Sequence, residues 1–203
     1  FACATSPASC TPAKLELLVD AGLRVVQMGV QTGSETLNRE VNNRLSSNRR
    51  ILDALGLLNR FAENGTIKVN CDFILDHPYE TDADILASID LYRRFPPKIC
   101  TNLFSLAFYP GTALYDRALK DGIIDGSHAV YSRAFNIGVA TTHRYLTHVF
   151  LLKDALRSRL PDCLLDLLIS RPARFLGNLL PRVLRDGLWG RRLFPRLARR
   201  GRA

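Results

Sequence analysis

Three times along this chain a run of strand-forming residues ends in a short polar turn containing Gly or Pro, and each turn leads directly to a Ser or Thr placed to cap a helix. The turns are Gln31-Thr32-Gly33-Ser34, Asp76-His77-Pro78-Tyr79-Glu80-Thr81 and Tyr109-Pro110-Gly111-Thr112. The middle one is the most constrained. Val69, Cys71, Phe73, Ile74 and Leu75 before it form a near-continuous apolar run, as expected of a strand covered on both faces. Thr81 with Asp84 three residues on makes a capping box for the helix behind it. Strand, turn and helix in this order, repeated with short connections, imply parallel strands joined by right-handed crossovers. In such folds ligands gather at the C-terminal strand ends.

The rest of the first half extends the pattern. Residues 1–5 read as a short strand, and Thr11-Pro12 starts a helix that Gly22 stops. A strand over 23–30 follows, then a helix from Ser34 and another from Ser46-Ser47. The second of these has Ile51, Leu52, Leu55, Leu58 and Phe61 at helical spacing. A strand is predicted over 66–75, a helix over 81–94, a strand over 99–108 and a helix ending near Asp121-Gly122. After 121 no convincing strand appears. Helices are predicted over 142–159, 162–170, 172–186 and 188–199. The predicted division is therefore 1–124 for the α/β part and 125–203 for a helical extension.

With 203 residues and 47% hydrophobic content the chain can bury a core. The net charge of +9 is unevenly placed: residues 1–120 hold 13 basic and 13 acidic side chains, and residues 121–203 hold 15 and 6. Cys3, Cys10, Cys71, Cys100 and Cys163 form no CxxC pair, so neither a zinc site nor a disulfide framework is indicated. His143 and His148 have poor helical metal spacing, and no metal ligand is assigned. His77 reads as a partly exposed loop histidine without a catalytic role. Glu80 reads as a brace at a helix start, with a general base as the alternative. Asp72 faces the barrel interior if Phe73 and Leu75 face the helices; a ligand contact and a satisfied structural carboxylate both remain open for it. No catalytic residue is assigned.

The series Ala21–Glu35, Asp72–Thr81 and Phe108–Tyr115 resembles the C-terminal half of a radical SAM barrel, and more narrowly the class with an N-terminal cobalamin-binding domain. The resemblance covers about residues 1–124. It implies an α/β fold, the C-terminal part of a partial (β/α)6 barrel with parallel strands, followed by the all-helical extension. It further implies that S-adenosylmethionine lies across the strand ends. Gln31 and Ser34 match the ribose-holding pair. Ile74, Leu75, Asp76, Tyr109 and Pro110 match segments against which the adenine rests. Many members have Gly where this chain has Asp76 and Tyr79, a departure that bears most on residue 76.

The family's radical chemistry needs a CxxxCxxC motif whose thiolates hold a four-iron four-sulfur cluster, and no such spacing occurs here. The chain starts at Phe1 without Met, and truncation is the simplest account of the missing motif. By resemblance the intact protein cleaves S-adenosylmethionine to a 5′-deoxyadenosyl radical that takes hydrogen from a small-molecule substrate. With cobalamin the outcome would be methyl transfer, rearrangement or ring closure. The fragment alone is expected to be inactive. A cytoplasmic location is the default.

Residues 171–203 hold ten Arg and one acid, Asp186, among Phe175, Leu176, Leu179 and other apolar residues. This pattern fits short amphipathic helices. Docking on the barrel is expected ahead of peripheral contact with an anionic inner membrane surface, and nucleic acid ranks third. A lipid-like substrate would suit the same tail. The competing function is a non-catalytic barrel remnant serving as a membrane-surface interaction module; a third is a complete non-radical barrel enzyme with a phosphate ligand. No stretch approaches the roughly 18 apolar residues needed to span a bilayer.

Overall fold

The computed structural model describes residues 1–125 and 145–179. They belong to two units, one within 1–137 and the other within 138–203. The first unit runs β1 (Ala2–Thr5), α1 (Pro12–Asp20), β2 (Val25–Gln31), α2 (Glu35–Glu40), α3 (Asn48–Glu63), β3 (Lys68–Leu75), α4 (Asp82–Arg93), β4 (Cys100–Ser105) and α5 (Ala113–Lys120). All four strands are parallel and lie in the order β1-β2-β3-β4.

Sequential order settles the winding. Right-handed crossovers between successive neighbours put every helix on one face of the sheet, as in a barrel; a doubly wound sheet would reverse direction at some strand. Burial follows that geometry. Val26, Met28 and Val30 of β2, Val69, Cys71, Phe73 and Leu75 of β3, and Leu103 and Ser105 of β4 are buried. Leu55 and Leu58 of α3 and Ile85, Ile89 and Leu91 of α4 are buried as well, and Phe73 meets Tyr92 edge-on with ring centroids 6.3 Å apart. The opposite face, carrying Gln27, Asn70, Asp72, Ile74 and Asn102, is only partly covered. The expected α/β class with parallel strands is present. β3 departs from the reading as a strand covered on both faces, because its polar residues share the open side.

The second unit is helical throughout its described residues: α6 (Tyr145–Leu156), a 3-10 turn (Arg157–Arg159), α7 (Asp162–Ile169) and α8 (Arg171–Leu179). Buried Lys153 joins them, its Nζ donating to Leu160 O at 3.0 Å and lying 3.3 Å from Asp162 Oδ1. The Tyr145 ring occupies the space where a side chain at Gly177 would stand, and its hydroxyl donates to Leu168 O at 3.1 Å. α8 turns Gly177 inward and leaves Phe175, Leu176 and Leu179 exposed at 68%, 63% and 64%. The helix predicted at 188–199 and the end of the one predicted over 172–186 lie outside the described residues. No described helix is long and apolar enough to cross a membrane.

Candidate functional site

The three turns lie beyond the C-terminal ends of three adjacent parallel strands. Strand β2 reaches its turn through a bulge: Gly29 pairs with Asp72 and Gln31 with Phe73, leaving Val30 as the extra residue. Bulges re-aim the side chain that follows them. Gln31 then adopts a left-handed backbone, φ 69°, and its Nε2 lies 2.7 Å from where a Cβ on Gly29 would be. Its amide is thus folded over the open face, beside the Arg44 guanidinium. Asp76, the first residue after β3, is also left-handed at φ 62° and is buried. Asp tolerates this backbone region better than most non-glycine residues, which makes the conformation accessible at position 76. Two strained non-glycine residues at neighbouring strand ends mark a place worth a functional hypothesis.

The loop 32–34 is rigidly held. Gly33 N donates to Ser88 Oγ at 2.8 Å, and Thr32 Oγ1 lies 3.0 Å from the same hydroxyl. Asn38 Nδ2 donates to Thr32 O at 2.9 Å, and Asn48 Nδ2 to Gly33 O at 2.7 Å. Gly33 has to be glycine because a Cβ would lie 2.6 Å from Ser88 Cα. Ser34 is buried in this network; its hydroxyl accepts from Leu37 N at 3.2 Å and donates to Asp84.

Each of the three helix starts is capped by the Ser or Thr that ends its turn. Ser34, Thr81 and Thr112 each accept a backbone N–H of the helix behind them, and Thr81 completes a capping box with Asp84. One N–H of each first turn is therefore already used internally.

Between them lies the His77 loop. His77 is 1% exposed, which corrects the expectation of a partly exposed side chain. Its Nδ1 accepts from Tyr79 N at 3.2 Å, its carbonyl accepts from Glu80 N at 3.0 Å, and its Nε2 is buried with no hydrogen-bond partner. Burial lowers its pKa from 6.5 to about 4, with the Asp84 charge opposing and the Arg117 charge assisting. The ring is neutral, with the proton on Nε2. Glu80 is buried at the start of α4, where a carboxylate suits the positive end of the helix. Outside the loop, Tyr79 OH donates to Asp121 Oδ2 at 2.8 Å and Arg117 stacks 4.4 Å from the Tyr79 ring centroid. Burial, then the Asp121 hydrogen bond, raise the Tyr79 pKa.

The expected site residues are thus distributed as follows. Gln31 and Ile74 are half-buried on the open side, Asp76 is buried at the turn, and Tyr109 and Pro110 are exposed. Leu75 is buried in phase with Phe73, so its side chain belongs to the helix-facing layer and only its backbone is left for a ligand. Sequence reading missed Gln27 and Asn102, which the register brings to Asp72: Gln27 Nε2 donates to Asp72 Oδ2 at 2.6 Å and Asn102 Nδ2 to Oδ1 at 3.0 Å. Their signal was present as polar residues in phase on successive strands. Among the described residues no group of three or more His, Cys, Asp or Glu side chains could hold a metal ion, and the five cysteines are free thiols.

Against known proteins, residues 1–92 match the family described as the Radical SAM superfamily. No curated protein matches. Among solved structures the chain is similar to Elp3 from the archaeon Methanocaldococcus infernus, with 19% identity over 60% of this chain and 28% of that one and a TM-score of 0.49. It is also similar to TsrM, a radical S-adenosylmethionine methyltransferase from Kitasatospora setae with cobalamin and an iron-sulfur cluster bound, at 18% identity, 59% and 23% coverage and a TM-score of 0.47. The chain spans about a quarter of the length of either.

Proposed function

We propose that this chain is the S-adenosylmethionine-binding part of a radical SAM enzyme, with cobalamin as a second cofactor of the longer protein. The observation that carries the reading is the pair Gln31 and Asp76, left-handed non-glycine residues at the ends of adjacent parallel strands, the loop after Gln31 being fixed from behind by α2, α3 and α4. The family match over residues 1–92 supports it. When bound and supplied with electrons from an iron-sulfur cluster, S-adenosylmethionine provides the radical or methyl chemistry. The chain's own residues bind and orient. The Gln31 amide, held over Gly29, is available to the ribose, and the backbone of 74–76 with Tyr109 and Pro110 forms the adenine shelf. The Ser34 hydroxyl donates to Asp84 and accepts from Leu37 N, which supports a role for Ser34 in holding the loop behind Gln31.

The cluster does not fit on this chain. Without a CxxxCxxC spacing or a three-ligand group among the described residues, its thiolates would come from outside the sequence. Calorimetry with S-adenosylhomocysteine tests the reading: saturable binding is expected, weakened about tenfold in Gln31→Ala, a loss typical of one or two hydrogen bonds. Absence of saturable binding to the folded chain overturns it.

Peripheral membrane contact is a compatible second property, favoured by the outward-facing Phe175, Leu176 and Leu179 beside Arg171 and Arg174. Co-sedimentation is expected with phosphatidylserine-containing vesicles and not with phosphatidylcholine alone, and the triple replacement of those apolar residues by Ser abolishes it. Equal binding by the triple variant removes the reading.

A further inference from the structure

The open face of the sheet carries a carboxylate that the proposed cofactor shelf leaves unused. Asp72 stands mid-sheet, with Gly29 beside it on β2 and Asn102 beside it on β4. Gln27, one layer lower, reaches diagonally to the same carboxylate. Both oxygens of Asp72 therefore accept from a primary amide, and the three partners come from three strands, 45 and 30 residues apart in sequence.

Three consequences follow from this arrangement. With their NH2 groups turned to Asp72, Gln27 and Asn102 have carbonyl oxygens with no hydrogen-bond partner among the described residues, so the row offers acceptors: two carbonyls and the remaining carboxylate lone pairs. Among the described residues no cation pairs with Asp72, which is held by neutral donors alone. Finally, Gly29 leaves the neighbouring position without a side chain, and the Gln31 amide and Arg44 guanidinium edge the gap. The backbone ladder already joins the three strands, so the carboxylate is not needed to tie them together.

We propose that this row is the substrate floor of the site and that it binds a cationic nitrogen group, a protonated amine or a guanidinium, of the substrate. Its place next to the cofactor rests on the S-adenosylmethionine reading; its chemistry does not. A guanidinium matches it well, since a planar fork can bind the carboxylate and one flanking carbonyl together.

The test is a titration of the whole chain with agmatine, followed on the side-chain amide resonances of Gln27 and Asn102, with 1,5-pentanediol as the neutral control and sodium chloride matched throughout. Saturable displacement of both amides by agmatine and none by the diol is expected. Asp72→Asn, verified as folded by its backbone amide spectrum, should weaken the response at least tenfold. Gln27→Ala, at an exposed strand position, should weaken it severalfold as read on Asn102 alone. No saturable response, an equal response to the diol, or an undiminished response in both variants overturns the proposal. Titration with S-adenosylhomocysteine, read on the backbone amides of Gln31 and Asp76, separates the two readings. A cofactor response without an agmatine response sinks the floor alone, and the reverse pattern sinks the shelf alone.

Discussion

His77 couples this fold to pH. In the unfolded chain its imidazole takes up a proton below about 6.5, whereas in the folded state it resists until about 4. Between those values the unfolded state binds more protons, so stability falls as pH falls, by on the order of 3 kcal/mol in total, and levels off below. His77→Asn removes this slope; denaturant midpoints from neutral pH to about 4 check it, and an unchanged slope in the variant assigns the dependence elsewhere. The same side chain shows a limit of sequence reading. Loop residues are usually exposed, and nothing local to Asp76-His77-Pro78 shows that it is covered. Gly33 is the opposite case. Its identity was legible as a turn glycine, but its reason is the contact with Ser88, which lies 55 residues away. Gly33→Ala should cost about 1–3 kcal/mol by forcing α4 and the loop apart, read as a lower urea midpoint with an unchanged slope.

At the scale of elements, what proved legible was what is local. Ser34, Ser47, Thr81 and Thr112 cap the helices their sequence positions announced. The parallel direction of the strands followed from their alternation with helices over short connections. The Gln27–Asp72–Asn102 row was not legible, because it depends on the register between strands, which no local pattern along one strand states. The loop 76–81 is also tied to α5 at long range, through Tyr79, Asp121 and Arg117. Since this cluster is largely exposed, a double-mutant cycle of Tyr79→Leu with Arg117→Ala should give a coupling of only about 0.5 kcal/mol. Additive effects would mean that the stacking contributes nothing measurable. In either outcome the buried half of the loop, through His77 and Glu80, remains the stronger anchor.

On the scale of the whole molecule, charge is balanced over residues 1–120, which carry the parallel sheet, and the basic excess lies beyond them. The proposed shelf and floor both lie in the first unit, and among the described residues no group of three or more His, Cys, Asp or Glu side chains could hold a metal ion. Anaerobic incubation of this chain with ferrous iron, sulfide and thiol should therefore leave no visible charge-transfer band after desalting. A band with four irons per chain would show that the cysteines gather in a way the described residues do not. Sequence reading identified the fold class and the likeness to radical SAM barrels because those depend on recurring strand-turn-helix punctuation. The exposure of Phe175, Leu176 and Leu179 on α8 was not legible, because an amphipathic pattern does not state which face turns inward.

The bulge in β2 has a consequence for how this chain can vary. Val30 is the one residue by which β2 outruns β3, and Gln31 keeps its place over the open face because of it. Substitutions at position 30 need only keep a small apolar side chain, but a deletion there would rotate everything after it by one step of the pleat. Gln31 would turn toward the helices, and the Gly33 N–H would lose its alignment with Ser88. The site is thus specified by a residue count as much as by residue identity, and length changes between Gly29 and Ser34 should be far less tolerated than replacements there.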